Sequence, residues 1–164
     1  MKMHGPVPLR GALTIILIVV VLGCLRSGYA EAGQAPLILG GPFRLIDHTG
    51  ASVTDETYRG KWLMMFFGFT HCPDICPTTL NKIATVMELL GAEAEKVQPL
   101  FITVAPQRDT VEVLQGYVAA FDSRIVGLTG SADEIATVTK SYGVATERSG
   151  DGTNYTMVNR PRST

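Results

Sequence analysis

"WLMMFFGFTHCPDICPTTL", residues 62 to 80, carries three signals in succession. Trp62 to Phe69 is a continuous apolar run, bounded by Gly60 on one side and by Thr70 to Pro73 on the other. A short run of this kind predicts a buried central strand with both faces covered. Cys72 and Cys76 follow in C-x-x-x-C spacing. From Pro77 to Leu90 the apolar residues Leu80, Ile83, Ala84, Met87 and Leu90 recur at helical spacing, and Gly91 ends the segment. Proline suits the first turn of that helix, where its missing N–H costs nothing. The cysteines therefore belong to a strand–loop–helix junction.

Outward from this stretch the alternation of strand and helix continues. "PFRLIDHTGASVT" (42–54) predicts two short strands around a turn at His48 to Gly50, with Phe43, Leu45 and Val53 facing inward. "VQPLFITVA" (97–105) is the next strand, and "DTVEVLQGYVAAF" (109–121) a helix capped by Asp109 or Thr110, with Val113, Leu114, Tyr117 and Phe121 on one face. "RIVGLTG" (124–130) predicts another short strand. "SADEIATVTKSYG" (131–143) opens with a capping box, Ser131 and Glu134, turns Ile135, Val138 and Tyr142 inward, and stops at Gly143. "NYTMVN" (154–159) alternates like the start of a strand. The pattern is that of an α/β domain with parallel strands in its sheet.

The chain has 164 residues, enough for one compact domain. Lys and Arg number 14 against 15 Asp and Glu, and no block of like charge stands out. Nothing in that balance favours nucleic acid or an acidic membrane surface as a partner. The N-terminus is different. Between Lys2 and Arg10 lies a basic leader, and "GALTIILIVVVLGCL" (11–25) then runs without a charge. It fits an uncleaved membrane anchor, a signal peptide cut after Ala30 with Gly28 and Ala30 as small residues, or a lipoprotein signal in which "VLGC" makes Cys24 the lipidated residue. Each reading places residues 31 onward outside the cytoplasm, on the periplasmic or extracytoplasmic side. Residues 1–30 are thus expected to be a signal or membrane anchor, and 31–41, "EAGQAPLILGG", a linker.

With Cys24 in the leader, Cys72 and Cys76 are the pair available to the folded part. A disulfide between them would close a loop of a few residues and remove little entropy from the unfolded chain. As a redox couple they sit at a helix N-terminus, which favours thiolate, so Cys76 is expected to be more acidic than a free cysteine. Their spacing is one residue longer than the C-x-x-C of thioredoxins. As metal ligands, separated by one helical turn, both sulfurs could converge on a soft ion; Cu(I) suits two thiolates, whereas zinc would want four ligands. A third donor is hard to find. His71 is expected to point away from Cys72, His48 to be a solvated turn residue, and His4 lies in the leader.

"GKWLMMFFGFTHCPDICPTTL" (60–80) resembles the signature of the SCO/SenC family of copper-binding assembly factors for cytochrome c oxidase. The resemblance continues through "FITVAPQRDT", "YVAAFDSRIVGLTG" and "YGV", spanning about residues 41 to 158. It implies a thioredoxin-like α/β fold over 42–158, a central mixed sheet with flanking helices, tethered outside a membrane by the N-terminal segment. It also implies a Cu(I)/Cu(II) site made of the two motif cysteines and a distal histidine. The family's role would be to deliver copper to, or reduce the thiols of, the dinuclear copper centre in oxidase subunit II. Carried over, Cys72 and Cys76 are the copper ligands, or the redox dithiol if the protein is instead a membrane-tethered thiol–disulfide oxidoreductase. Asp74 between them would bias the site, contact a partner, or serve only as a helix N-terminal residue.

Two departures stand out. Where the family reads V-D-P-x-R-D-T, this chain has Ala105 in "VAPQRDT". The ligand histidine is expected about four residues after Tyr155, and Asn159 stands there, followed by "RPRST". An asparagine amide is a hard, weak donor for Cu(I). Residues 159–164 are accordingly expected to be a truncated or frame-shifted tail, the alternative being a divergent relative that uses its dithiol alone.

Overall fold

The computed structural model describes residues 40–151 and 154–159. The predicted leader with Cys24, most of the predicted linker, and residues 160–164 lie outside the described residues. In chain order the elements are β1 (Arg44–Asp47), β2 (Ser52–Thr54), β3 (Trp62–Gly68), α1 (Ile75–Leu89), β4 (Val97–Thr103), α2 (Val111–Ala119), β5 (Val126–Thr129), α3 (Ala132–Ser141), β6 (Thr146–Asp151) and β7 (Asn154–Asn159). Short 3-10 segments, Asp55–Tyr58 and Gly91–Lys96, precede β3 and β4. Among the described residues no helix is long and apolar enough to cross a membrane.

Five strands form one mixed sheet in the order β2-β1-β5-β4-β3. β3, β4 and β5 run parallel, while β1 is antiparallel to both β5 and β2. The β1–β2 turn is held by Asp47, whose carboxylate accepts from Thr49 N–H (2.8 Å), the Thr49 hydroxyl (2.6 Å) and Ala51 N–H (3.0 Å). The helix starts follow their sequence signals. Thr110, not Asp109, caps α2 by accepting from Val113 N–H at 3.4 Å. The Ser131–Glu134 capping box opens α3 with reciprocal bonds of 3.2 and 2.8 Å.

Alternation along β3 and β4 divides the core. Leu100 and Ile102, with Leu63, Met65 and Phe67, face α3 through Ile135 and Val138. Phe101, with Met64 and Phe66, faces α1 and α2 through Leu80, Ile83, Met87, Leu114 and Val118. α2 lies close against β5: a Cβ at Gly127 would come 3.3 Å from that of Leu114. The last linker residues dock on the end of α3, where Gly40 N–H donates to Ser141 O at 2.9 Å and the Tyr142 hydroxyl to Gly41 O at 3.2 Å.

Two expectations need correction, and one strand has no sequence signal. Past the exposed Trp62, β3 has both faces covered, but within the described sheet it is an edge strand bonded only to β4. Residues Leu63 to Phe67 are consequently half-buried. A continuous apolar run reports what lies above and below a strand; the lateral neighbour is met by backbone groups that every residue shares. α1 begins at Ile75, ahead of Pro77, so the second cysteine lies inside the helix. Finally, "TERSGD" forms β6, a polar strand whose partner is β7 in a separate two-stranded sheet. No apolar alternation announces it, because its hydrogen bonds and not a core face define it.

Leu114 is fully buried between α2 and β5. Leu114→Ala is expected to lower unfolding stability by about 2–5 kcal/mol, read as a lower urea midpoint at unchanged slope. A loss below about 1 kcal/mol would mean that this helix–sheet contact carries little of the core.

Candidate metal centre

β3 and β4 end side by side, and the chain turns from their carboxyl ends into the cysteine loop and the segment before α2. There Phe69, Cys76, Val104 and Ala105 form a small buried cluster, with Phe66, Phe67 and Cys72 packed against it. The carboxyl ends of parallel strands are where α/β folds leave their binding crevices. Here the crevice is a largely apolar cavity of about 390 Å³ whose walls include Phe67, Phe69, Cys72, Cys76, Val144 and Thr146.

Both cysteines are free thiols, Cys72 half-buried at the rim and Cys76 buried beneath it. Asp74 occupies the N-cap position of α1, yet its side chain makes no capping bond to the helix. Its carboxylate instead accepts from the Thr78 hydroxyl at 3.3 Å. The Cys72 sulfur takes the vacant capping role, accepting from Cys76 N–H at 3.3 Å. Burial opposes a thiolate at Cys72, but the Cys76 thiol and the N–H groups of Cys76, Asp74 and Ile75 outweigh it and hold Cys72 below the ordinary thiol range. Desolvation pushes Cys76 up to about 12, against a hydrogen bond from the Phe69 backbone and with the charges of Cys72 and Asp109 adding to the rise.

The acidic thiol is therefore Cys72, not Cys76 as the motif's position suggested. The cause is the earlier start of α1. Its unpaired N–H groups point back at the loop sulfur of Cys72, while Cys76 already lies inside the first turn and against the core.

The loop carrying the cysteines is fastened from below by Asp109, which is fully buried. Its carboxylate accepts from Thr70 N–H (3.0 Å), the Thr70 hydroxyl (2.6 Å) and the Thr103 hydroxyl of β4 (2.6 Å). Its main-chain carbonyl accepts from the Thr129 hydroxyl of β5 at 3.1 Å. Sequence reading treated Asp109 as a possible helix cap; nothing local in "QRDT" points across the fold to Thr70.

The remaining candidates fall in different places. Ala105, at the first departure from the family pattern, is fully buried in the apolar floor of the site. His71 is exposed, its Nδ1 3.1 Å from the Thr70 hydroxyl. His48 is not a solvated turn residue: it is half-buried, and its Nδ1 accepts from Gly127 N–H at 3.1 Å, tying β1 to β5. Asn159 ends β7 opposite Thr146, a residue of the cavity wall, so its backbone lies beside the site. Among the described residues no three His, Cys, Asp or Glu side chains gather as a metal-holding group.

On the metal-free protein, iodoacetamide with peptide mass mapping is expected to modify Cys72 at lower pH than Cys76. The raised value of Cys76 favours the folded state while its thiol is protonated, so the stability it contributes is complete below about 8.5 and declines as pH rises toward about 12. Earlier modification of Cys76 would contradict the assignment of the two thiols.

Comparison with known proteins bears on this geometry. The family model described as SCO1/SenC matches residues 31–160. The protein SCO2 homolog, mitochondrial, of Bos taurus is 52% identical over 116 residues, which cover 70% of this chain and 44% of that protein. The copper-bound structure of ScoI from Bradyrhizobium japonicum aligns with a TM-score of 0.71 at 43% identity, covering 75% of this chain and 79% of that one. Copper-bound ScoI of Arabidopsis thaliana aligns with a TM-score of 0.69 at 41% identity, covering 74% and 76% respectively. The chain spans less than half the length of the curated relatives it matches. The five-stranded mixed sheet with its flanking helices is the thioredoxin-like architecture of these Sco structures. With most of its length matched by the family model and the C-x-x-x-C motif placed at the strand–helix junction, the chain belongs to the SCO1/SenC family.

Proposed function

We propose that this chain binds copper through Cys72 and Cys76 and hands it to a copper protein during assembly of cytochrome c oxidase, with the dinuclear centre of subunit II as recipient. The observation that carries this reading is the dithiol itself: two free thiols in hydrogen-bond contact, one in the loop and one in the first turn of α1, at an apolar crevice. Two thiolates select a soft monovalent ion, and Cu(I) fits them better than a metal that wants four ligands. Burial makes a thiolate at Cys76 costly, and a bound cation supplies the positive charge that the apolar wall lacks. Binding would therefore release protons. The copper-bound relatives support the choice of ion. Asp74, exposed at the rim, would meet the partner. The N-terminal apolar segment would hold the domain at a membrane, on the extracytoplasmic side.

The different exposure of the two thiols favours thiol–disulfide exchange as a second reading. The Cys72 thiolate would attack a partner disulfide, forming a mixed disulfide and releasing one partner thiolate. Cys76, giving its proton to that thiolate, would then attack the Cys72 sulfur. The products are a Cys72–Cys76 disulfide and a fully reduced partner.

Anaerobic Cu(I) titration against a chromophoric chelator separates the readings. One copper per chain is expected, lost in Cys72→Ala and in Cys76→Ala. Absence of retained copper, together with turnover of a disulfide substrate, would replace the first reading with the second.

A further inference from the structure

We infer that Gly68 is a positioning residue for Cys76: the space its missing side chain leaves is where the thiol sits. Gly68 is the last residue of β3 and is buried. Its φ is outside the left-handed region, so backbone conformation gives no reason for glycine here. Space does. A Cβ at this position would stand 3.0 Å from Cys76 Sγ, 2.8 Å from Phe101 Cε2 and 3.3 Å from Phe66 Cε1. The backbone is held in place, because Gly68 O accepts from Val104 N–H at 2.8 Å where β3 and β4 end. The neighbours must therefore move instead.

The close approaches divide into two kinds. Those to Phe101 and Phe66 concern the core beneath the sheet, where the far end of a ring is pressed. That to Cys76 concerns the site. Cys76 has a single side-chain torsion and packs in the cluster of Phe69, Val104 and Ala105. Its sulfur would have to give by a few tenths of an ångström, turning about that torsion or lifting the first turn of α1. Either movement would change the approach of the two sulfurs. Glycine ahead of the cysteine loop thus sets the depth of the buried thiol, and through it the geometry offered to a metal.

For its consequence in metal binding the inference rests on the copper reading above, so the test has a metal-free arm. Phe101→Leu relieves the closest core approach, leaving that to Phe66 at 3.3 Å, and serves as the parent; Gly68→Ala is added to it. Cu(I) affinity is read by chelator competition, and the rate of Cys76 alkylation is read on the metal-free protein. Phe101→Leu is expected to bind copper like the wild type, and Gly68→Ala/Phe101→Leu about ten- to a hundredfold more weakly, with Cys76 alkylated at an altered rate. Equal affinity and equal alkylation in the two variants would overturn the inference. If the wild type itself holds no copper, the copper reading fails and the alkylation arm alone decides. If the double variant does not fold, adding Cys76→Ala should restore folding by removing the sulfur; continued misfolding would place the defect in the core and overturn the inference.

Discussion

Buried Asp109 joins three parts of the chain: through its carboxylate, Thr70 in the cysteine loop and Thr103 at the end of β4, and through its main-chain carbonyl, Thr129 of β5. A carboxylate out of water is tolerated only when its oxygens are hydrogen-bonded, and each partner here is placed by a different element. The interaction fixes Thr70 two residues ahead of Cys72. It thereby fixes where the loop leaves the sheet and where α1 can begin. Deleting the carboxylate would leave the buried Thr103 hydroxyl without its acceptor, at a cost of about 1–3 kcal/mol, and would release the part-buried Thr70. The dithiol inherits its position from that tie.

Given the loop, the two thiols become unequal without any specialised group. Cys72 collects the backbone N–H groups that every helix start leaves unpaired, and Cys76 is driven under an apolar wall. One sulfur is the more acidic; the other, pushed up to about 12, is kept neutral until something positive or something electrophilic arrives. A soft cation meets that condition, and so does a disulfide bonded to Cys72. The same geometry thus supports copper transfer and thiol exchange, which differ in what approaches the rim and not in the arrangement of the pair.

Much of this was legible in the residues. The apolar run of β3, the Ser131–Glu134 box and the placement of C-x-x-x-C between strand and helix depend on local periodicity and capping, and they appear where expected. The errors share a cause. The start of α1 moved forward because loop and helix are bound to the sheet from outside their own segment. β3 lies at the described sheet edge because lateral pairing has no side-chain signature. His48 is enlisted by a backbone N–H 79 residues away, and Asp109 by a loop 39 residues earlier. No window of sequence contains both members of such a pair.

By itself the sequence determined the class of fold, through periodicity, and the family, through its motif, and the chemistry of sulfur singled out Cys72 and Cys76 as candidate donors. The tertiary structure alone decided which sulfur is acidic and which is buried, how deep the second lies under Gly68, and what anchors the loop that carries them. Those properties depend on distances between residues brought together only when the parallel strands align their ends. Thiol acidity, cavity shape and contact distance belong to the space around a residue, and that space exists only in the folded chain.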